Sequence, residues 1–219
     1  MKRKRIHAVL FGPQGSGKGT QGQILCEYFD IPLIGAGDLL RAEIEDETSM
    51  GRLVKAYVEQ GMLAPDELVN AIAARRLKEQ SLERGFLLDG YPRNVEQAEV
   101  LDGLVKINLA IQLKISDAEA LRRLRGRWQC PACHTLYHEV HAPPAVPGKC
   151  SVCGAALVQR EDDKDALIRQ RLAAYHFITE PLAGYYRQRG VLLSVQAEQP
   201  IPLLCKELLR KMGRLGFTV

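Results

Sequence analysis

The sequence has little net charge and no long apolar run, and each shortage excludes a class of protein. The 30 lysine and arginine residues and the 26 acidic residues give a formal net charge of only +4, which is too small to indicate nucleic-acid binding by itself. The basic N-terminus leads into an apolar run of residues 6–11. This run is too short for the core of a signal peptide, and no later segment approaches the length that crosses a membrane. We therefore expect a cytoplasmic protein that makes no contact with a membrane.

Cysteine is also scarce, with six residues in a chain of 219. In a cytoplasmic protein, so few cysteines favour a metal site and buried thiols over disulfide bonds. Cys26 and Cys205 lie in apolar, helix-like contexts, and we expect both in the core. The other four form two Cys-x-x-Cys pairs with sixteen residues between them: Cys130, Cys133, Cys150 and Cys153. This spacing predicts a closed site of four cysteines for a structural zinc ion, although thiolates also accept iron or cobalt.

The sequence does contain a phosphate-binding loop near its N-terminus. Residues 12–18 (GPQGSGK) fit the pattern G-x-x-x-x-G-K, between an apolar run and a helical segment. In such a loop the backbone N–H groups and the helix N-terminus bind phosphate oxygens, and Lys18 can reach the β- and γ-phosphates. The residue after the lysine is Gly19 instead of the usual serine or threonine, and the hydroxyl comes at Thr20. We therefore expect Mg²⁺ to be held largely through waters, near Thr20 and Asp89.

Short apolar runs alternate with helical segments along most of the chain. The runs at residues 85–89, 107–114 and 191–195 are each bounded by glycine or by charged helical segments. Strands that alternate with helices indicate an α/β fold, in which helices cover both faces of a parallel sheet.

Two stretches interrupt this alternation. Residues from about 37 to 80 carry only helical patterns, with predicted breaks that include Gly51, and they indicate a small helical insert. Residues 128–159 have almost no helical periodicity and hold four prolines, so we interpret them as an excursion of the chain that the metal site holds together. After the excursion, Asp162 is a candidate N-cap for a long helix that reaches Arg187.

Several motifs resemble those of the adenylate kinase family. The phosphate loop has the form G-x-x-G-x-G-K-G-T. Further motifs are GAGDLLR at 35–41, GMLAPDELV at 61–69, GFLLDGYPRNVEQA at 85–98, GRWQC at 126–130 and QREDDKDALIRQRL at 159–172. The resemblance covers essentially the whole chain and implies a P-loop three-layer fold with a five-stranded parallel sheet. It implies a core of residues 1–34, 65–125 and 164–219, an insert of residues 35–64 that binds the nucleoside monophosphate, and a lid of residues 126–163.

The resemblance also implies a reaction and a set of site residues. The family reaction is reversible phosphoryl transfer from Mg-ATP to AMP, which gives two ADP and maintains the balance of adenine nucleotides. ATP, AMP and ADP would be the partners, Mg²⁺ would enter with ATP, and the chain would be a monomer. The implied catalytic residues are Lys18, Arg93, Arg123, Arg127, Arg160 and Arg171. The implied ATP-binding residues are Gly15, Ser16, Gly17, Lys18, Gly19, Thr20, Arg123, Arg127, Leu136, Tyr137 and, by its carbonyl, Gln199. The implied AMP-binding residues are Ala36, Arg41, Met62, Leu63, Ala64, Gly90, Tyr91, Pro92, Arg93, Gln97, Arg160 and Arg171.

Two alternatives stay open. A UMP/CMP kinase on the same scaffold is suggested by Ala36, where adenylate kinases usually have threonine. Gln97 favours AMP, because a glutamine amide can pair with the adenine edge. The other alternative, a nucleic-acid-binding ATPase, would use the metal site for contact. Residues 130–159 speak against it, since they hold one lysine, no arginine and one tyrosine, whereas nucleic-acid binding requires a basic surface with stacking aromatic side chains.

Overall fold

Five strands form one parallel sheet at the centre of the molecule. The computed structural model describes residues 4–59, 64–79 and 84–218. The strands are β1 (Ile6–Phe11), β2 (Leu33–Gly35), β3 (Gly85–Asp89), β4 (Leu109–Lys114) and β7 (Leu192–Gln196), in the order β2-β3-β1-β4-β7. Every neighbouring pair is parallel. The predicted α/β fold with a five-stranded parallel sheet is therefore confirmed. The short strand β2 was not among the predicted apolar runs.

Helices follow the strands, and a small separate sheet follows α6. The helices are α1 (Lys18–Phe29), α2 (Ala36–Glu45), α3 (Ser49–Glu59), α4 (Asp66–Glu79), α5 (Val95–Leu104), α6 (Asp117–Arg125), α7 (Asp165–Ala174), α8 (Leu182–Gln188) and α9 (Ile201–Arg214). A 3₁₀ turn (Glu161–Asp163) precedes α7, and a π-helical turn (Tyr175–Thr179) follows it. The second sheet pairs β5 (Arg127–Gln129) with β6 (Leu136–His138) in antiparallel fashion. Among the described helices, none combines the length and the apolar character needed to span a membrane.

The central sheet is buried on both faces. Leu10 of β1 belongs to an apolar cluster with α1 and α9, whereas its neighbour Val9 belongs to a second cluster with α4, α5 and α8. Successive side chains of a strand point to opposite faces, so these two clusters cover the two sides of the sheet. Cys26 is buried in the first cluster, and Cys205 is half-buried on α9. The two clusters make the sheet a rigid layer that supports the loops at the carboxyl ends of its strands. These loops are where α/β proteins bind ligands.

Two local predictions are wrong. Gly51 does not break a helix, since it lies inside α3, where an added Cβ would come within 1.8 Å of the Glu43 carbonyl oxygen. Glycine is needed there because α3 approaches the end of α2 closely. Asp162 does not cap a long helix, because it lies in the 3₁₀ turn and α7 begins only after Lys164. The π-helical turn then separates α7 from α8.

Candidate active site and lid

The phosphate loop joins β1 to α1 at the carboxyl edge of the sheet. Gly15 and Gly17 have φ angles of 81° and 88°, in the left-handed region that side chains disfavour. Lys18 Nζ donates hydrogen bonds of 2.7 and 2.9 Å to the carbonyl oxygens of Gly12 and Pro13. The lysine ammonium is therefore held against the loop, beside the N-terminus of α1, which favours phosphate groups.

Positive charges accumulate around Lys18. Burial, with a smaller contribution from three arginines, lowers the pKa of Lys18 to about 8, against the opposing effect of Asp89. The three arginines are Arg93, Arg127 and Arg171. Burial likewise raises the pKa of Asp89, although Lys18 and Arg93 oppose that shift. Like charges this close disfavour one another, so the arrangement is suited to an anion that would compensate them.

Helix α6 brings Arg123 onto the phosphate loop. Its Nη1 donates to the Gly15 carbonyl at 3.4 Å, and its Nη2 donates to the Ala197 carbonyl at 2.8 Å. Its Nε donates to Glu119 Oε1 at 2.6 Å. Arg123 thus links the loop to α6 and to the segment after β7. That segment also contains Gln199, which the resemblance assigned to the ATP base.

Two adjacent aspartates hold the other arginines of the predicted site. Asp163, whose side chain is 1% exposed, accepts hydrogen bonds of 2.8 and 2.6 Å from Arg127. Asp162 accepts a similar pair of 2.9 and 2.8 Å from Arg160. Arg171 Nη1 donates to the Asp162 backbone carbonyl at 2.9 Å. This role of the aspartates was not predicted, although the run of opposite charges in REDDK (160–164) was an available signal in the sequence.

The predicted acceptor side lies where β2 and β3 end. Ala36 is buried at the start of α2, and a Cβ added to Gly90 would lie 3.8 Å from the Ala36 Cβ. Arg93 Nε donates to the Gly90 carbonyl at 3.0 Å. Ala36 and Arg93 therefore both lie next to Gly90. Arg41, by contrast, lies exposed on α2, where it forms an ion pair with Asp38.

The structure describes other predicted acceptor residues to different extents. Tyr91 is buried, and its hydroxyl donates to Asn70 Oδ1 of α4 at 2.9 Å. Ala64 is half-buried just before α4. Met62 and Leu63 lie outside the residues that the structure describes.

Gln97 is 2% exposed, and its backbone N and both amide atoms form hydrogen bonds to neighbouring residues. Its backbone N donates to Asn94 Oδ1 at 2.7 Å, and its Oε1 accepts from the backbone N of Arg93 at 2.7 Å. The first bond caps α5 at Asn94, and the second resembles a capping box but ends on Arg93, one residue before the N-cap. In addition, Gln97 Nε2 donates to Asp66 Oδ1 at 2.7 Å. The pattern N-x-x-Q at 94–97 was the signal for the cap, whereas nothing in the sequence indicated Asp66.

The four cysteines of the two Cys-x-x-Cys pairs come together between β5 and α7. Their Sγ atoms all lie within 4.8 Å of one another. The Cys130–Cys153 and Cys133–Cys150 pairs are each 3.4 Å apart, and Cys133–Cys153 is 3.6 Å. Zinc–sulfur bonds of about 2.3 Å in a tetrahedron separate the sulfur atoms by roughly 3.8 Å. The set of ligand atoms therefore fits a single tetrahedral metal ion.

The segment predicted to form the lid, residues 126–163, has a very small interior around these cysteines. Tyr137 is buried there, with its hydroxyl 3.4 Å from Cys150 Sγ and accepting from the Ser151 backbone N at 2.8 Å. Leu136, the preceding residue, is 45% exposed. Of these two residues assigned to ATP binding, only Leu136 presents its side chain at the lid surface, so Tyr137 would contribute through its backbone.

A parallel sheet whose first strand leads into a phosphate loop defines a class of protein. With cations gathered at that loop and a flap of chain following α6, the fold and the site are those of a P-loop nucleotide-dependent phosphotransferase.

Comparison with known proteins specifies the family. The family model for adenylate kinase matches residues 10–191. A protein of Caldicellulosiruptor bescii named adenylate kinase is 40% identical, over 95% of this chain and 99% of its own length. Adenylate kinases of Moorella thermoacetica and Acidothermus cellulolyticus are 42% and 41% identical, over 95% and 90% of this chain and 99% and 93% of their own lengths. The chain belongs to the adenylate kinase family.

Proposed function

We propose that this protein catalyses reversible phosphoryl transfer from Mg-ATP to AMP, with two ADP as products. The observation that carries the proposal is the placement of cations at the phosphate loop, where Lys18 contacts the Gly12 and Pro13 carbonyl oxygens and Arg123 contacts that of Gly15, while Arg127 and Arg171 are joined at Asp163. In a phosphoryl transition state, negative charge is spread over the oxygens of the transferred group. Fixed cations lower the free energy of that state more than that of the ground state, so no acid–base pair is required.

The donor side would hold the phosphates of ATP. Backbone N–H groups of residues 15–20 and the Lys18 ammonium would bind the β- and γ-phosphates, and Arg123 would bind beside them at Gly15. Mg²⁺, bound with ATP, neutralises phosphate charge and helps to align the reacting oxygens. Thr20 and Asp89 would orient its waters.

The arginines of the acidic turn would stabilise the transferred group. Arg127 and Arg171 already act on Lys18 electrostatically, and Arg160 is held beside them by Asp162. Their guanidinium groups have fixed orientations because Asp162 and Asp163 bind them. Oriented donors need little reorganisation when the transition state forms, which is the main contribution that a protein makes to this chemistry.

The acceptor side would bind AMP. Arg41 and Arg93 would hold its phosphate, and Gln97 would pair with the base. Its other lining residues would be Ala36, Met62, Leu63, Ala64, Gly90, Tyr91 and Pro92. Alanine at position 36 lacks one hydroxyl hydrogen bond, worth about 0.5–1.5 kcal/mol, whereas a mismatched buried amide costs about 1–3 kcal/mol. The second penalty is at least as large, so Gln97 favours AMP over UMP or CMP.

The lid, residues 126–163, would close over ATP as one unit. Zinc bound by the four cysteines would replace the apolar core that so short a segment lacks. Because four thiolates complete a tetrahedron, the metal would be structural and take no part in the reaction. Residues 35–64 would form the AMP-binding insert, and the remaining residues the core of a monomer. A nucleic-acid-binding ATPase is the weaker alternative, since the lid between Cys130 and Gln159 has a single lysine and no arginine.

A coupled assay with purified protein, Mg-ATP and each nucleoside monophosphate tests the proposal. The expected kcat/KM for AMP exceeds that for UMP and for CMP by at least about tenfold, the scale of one such contact. GMP and a reaction without acceptor serve as controls. Equal or better turnover of UMP or CMP would replace the proposal with a UMP/CMP kinase. ATP hydrolysis that requires a nucleic acid would favour the ATPase.

A further inference from the structure

We propose that Asp66 is a positioning residue that fixes the orientation of the Gln97 amide, and through it the choice between a 6-aminopurine and a 6-oxopurine acceptor. The inference rests on the proposed function, since it presupposes that Gln97 pairs with the acceptor base. Asp66 is the first residue of α4, whereas Gln97 lies in the first turn of α5.

The Gln97 amide has two partners of opposite character. Its Nε2 donates to the Asp66 carboxylate at 2.7 Å, and its Oε1 accepts from the Arg93 backbone N at 2.7 Å. A carboxylate can only accept and a backbone N–H can only donate. Rotating the amide by half a turn would therefore bring oxygen against oxygen at Asp66 and two donors together at Arg93. The order of Oε1 and Nε2 is fixed.

Asp66 is itself held in place. Its other carboxylate oxygen accepts from Asn94 Nδ2 at 2.5 Å, while Asn94 Oδ1 caps the backbone N of Gln97. The carboxylate thus receives one hydrogen bond on each oxygen, from two side chains of the same helix turn. Its position relative to the amide depends on the packing of α4 against α5.

The fixed order has a consequence for base recognition. A primary amide has two N–H hydrogens and two carbonyl lone pairs. Asp66 and Arg93 use one of each, so one N–H and one lone pair remain. A 6-aminopurine offers a donor at position 6 and an acceptor at N1, whereas a 6-oxopurine offers the reverse order. An amide that cannot turn over is matched to only one of these, and in an AMP-specific site it is the 6-aminopurine.

The variant Asp66→Asn tests this inference. Asparagine keeps the shape of the aspartate side chain but offers one acceptor oxygen in place of two. Its amide nitrogen could also donate to Gln97 Oε1 if the Gln97 amide were rotated by half a turn. We expect the ratio of kcat/KM for AMP to that for IMP to fall by about tenfold, mainly through a higher KM for AMP, while kcat at saturating AMP changes little. Asp66→Glu restores a carboxylate and should recover part of the ratio. Glu67→Gln makes the same charge change one residue further along and should leave the ratio unchanged.

The outcomes separate this inference from the proposed function. If Asp66→Asn lowers the melting temperature but leaves the AMP-to-IMP ratio within about twofold of the wild type, below the effect of one such contact, then Asp66 only joins α4 to α5 and the inference is wrong. In that case a wild-type preference for AMP would still support the proposed function. A wild-type preference for UMP or CMP would overturn both.

Discussion

The core and the predicted lid are held in place by different means. The phosphate loop is anchored between β1 and α1, above a sheet with apolar clusters on both faces. The buried interior of the lid consists of Cys130, Tyr137, Cys150 and Leu157, with two partly buried side chains packed against it. So little apolar surface cannot stabilise a segment of this length, whereas metal–thiolate bonds can. The core therefore owes its order to burial, and we expect the lid to owe its order to the metal.

Removing the Lys18 ammonium should have the largest effect. Lys18→Met deletes a cation at the phosphate loop and leaves both apolar clusters intact, so kcat should fall by about 10²- to 10³-fold while the melting temperature stays within a few degrees. Steady-state kinetics and calorimetry measure the two quantities. The exposed Lys106→Met is the matched control and should change neither. An effect on KM alone would mean that Lys18 only binds ATP.

Removing one lid cysteine should give the opposite result. The wild-type protein should contain about one zinc ion per chain by elemental analysis, and Cys153→Ser should lose it. We expect the melting temperature to fall by about 5 °C or more, because the lid has no other core, while activity at low temperature largely survives. The matched control is Cys205→Ser, which changes a half-buried thiol outside the metal site and should keep the metal. Unchanged stability together with complete loss of turnover would show that the metal is not structural.

The pH dependence of activity should arise from Lys18, which lies in the core. Burial lowers the pKa of Lys18 to about 8, so kcat/KM for ATP, which reports the free enzyme, should fall as pH rises through 8. The effect on stability has the opposite sign. Between pH 8 and the ordinary lysine pKa of 10.5, the unfolded chain binds more protons at this residue, so its contribution makes the free energy of unfolding rise with pH.

Two measurements distinguish an effect of Lys18 on activity from an effect on stability or on the lid. The decline in kcat/KM near pH 8 should occur without a fall in melting temperature, and Cys153→Ser should show the same decline at low temperature. A flat kcat/KM profile from pH 7 to 9.5, across the window around the Lys18 pKa, would contradict the assignment of Lys18.

The smallest effect is expected from Ala36→Thr. The threonine hydroxyl would add a hydrogen-bonding group beside Gly90, worth about 0.5–1.5 kcal/mol at most. The KM for AMP should therefore fall severalfold or stay the same, with the melting temperature and the zinc content unchanged. Ala36→Val, which adds similar volume without a hydroxyl, is the matched control. A higher KM for AMP in the threonine variant alone would show that the hydroxyl opposes AMP binding.

Features whose cause is local could be predicted from the sequence. The glycines of the phosphate loop and the Cys-x-x-Cys spacing each lie within a short segment, and the structure gathers the four cysteines as their spacing predicted. The strands β1, β3, β4 and β7 were predicted because their apolar runs are continuous. Strand β2 was missed because its three residues are too few for a periodic pattern.

Features that depend on contacts between elements were predicted wrongly. Asp162 resembled an N-cap, yet its carboxylate pairs with Arg160 and Arg171. Gly51 resembled a helix break, yet it allows α3 to approach the Glu43 carbonyl. In both cases a contact overrode local propensity, and only for Asp162 did the sequence carry a signal, the run of opposite charges at 160–164.

The sequence by itself determined the chemistry of two short segments: a loop that binds phosphate and a set of thiolates that binds metal. Both follow from residue types at fixed short intervals, because backbone geometry and ligand geometry act over a few residues. Only the tertiary structure decided which charges meet and in which orientation. It packs α4 against α5, so that Asp66 faces Gln97, and it brings the end of the predicted lid back to β5, so that Asp163 holds Arg127. Electrostatic and hydrogen-bonding interactions depend on distances of a few ångströms, and the packing of the sheet and helices sets these distances.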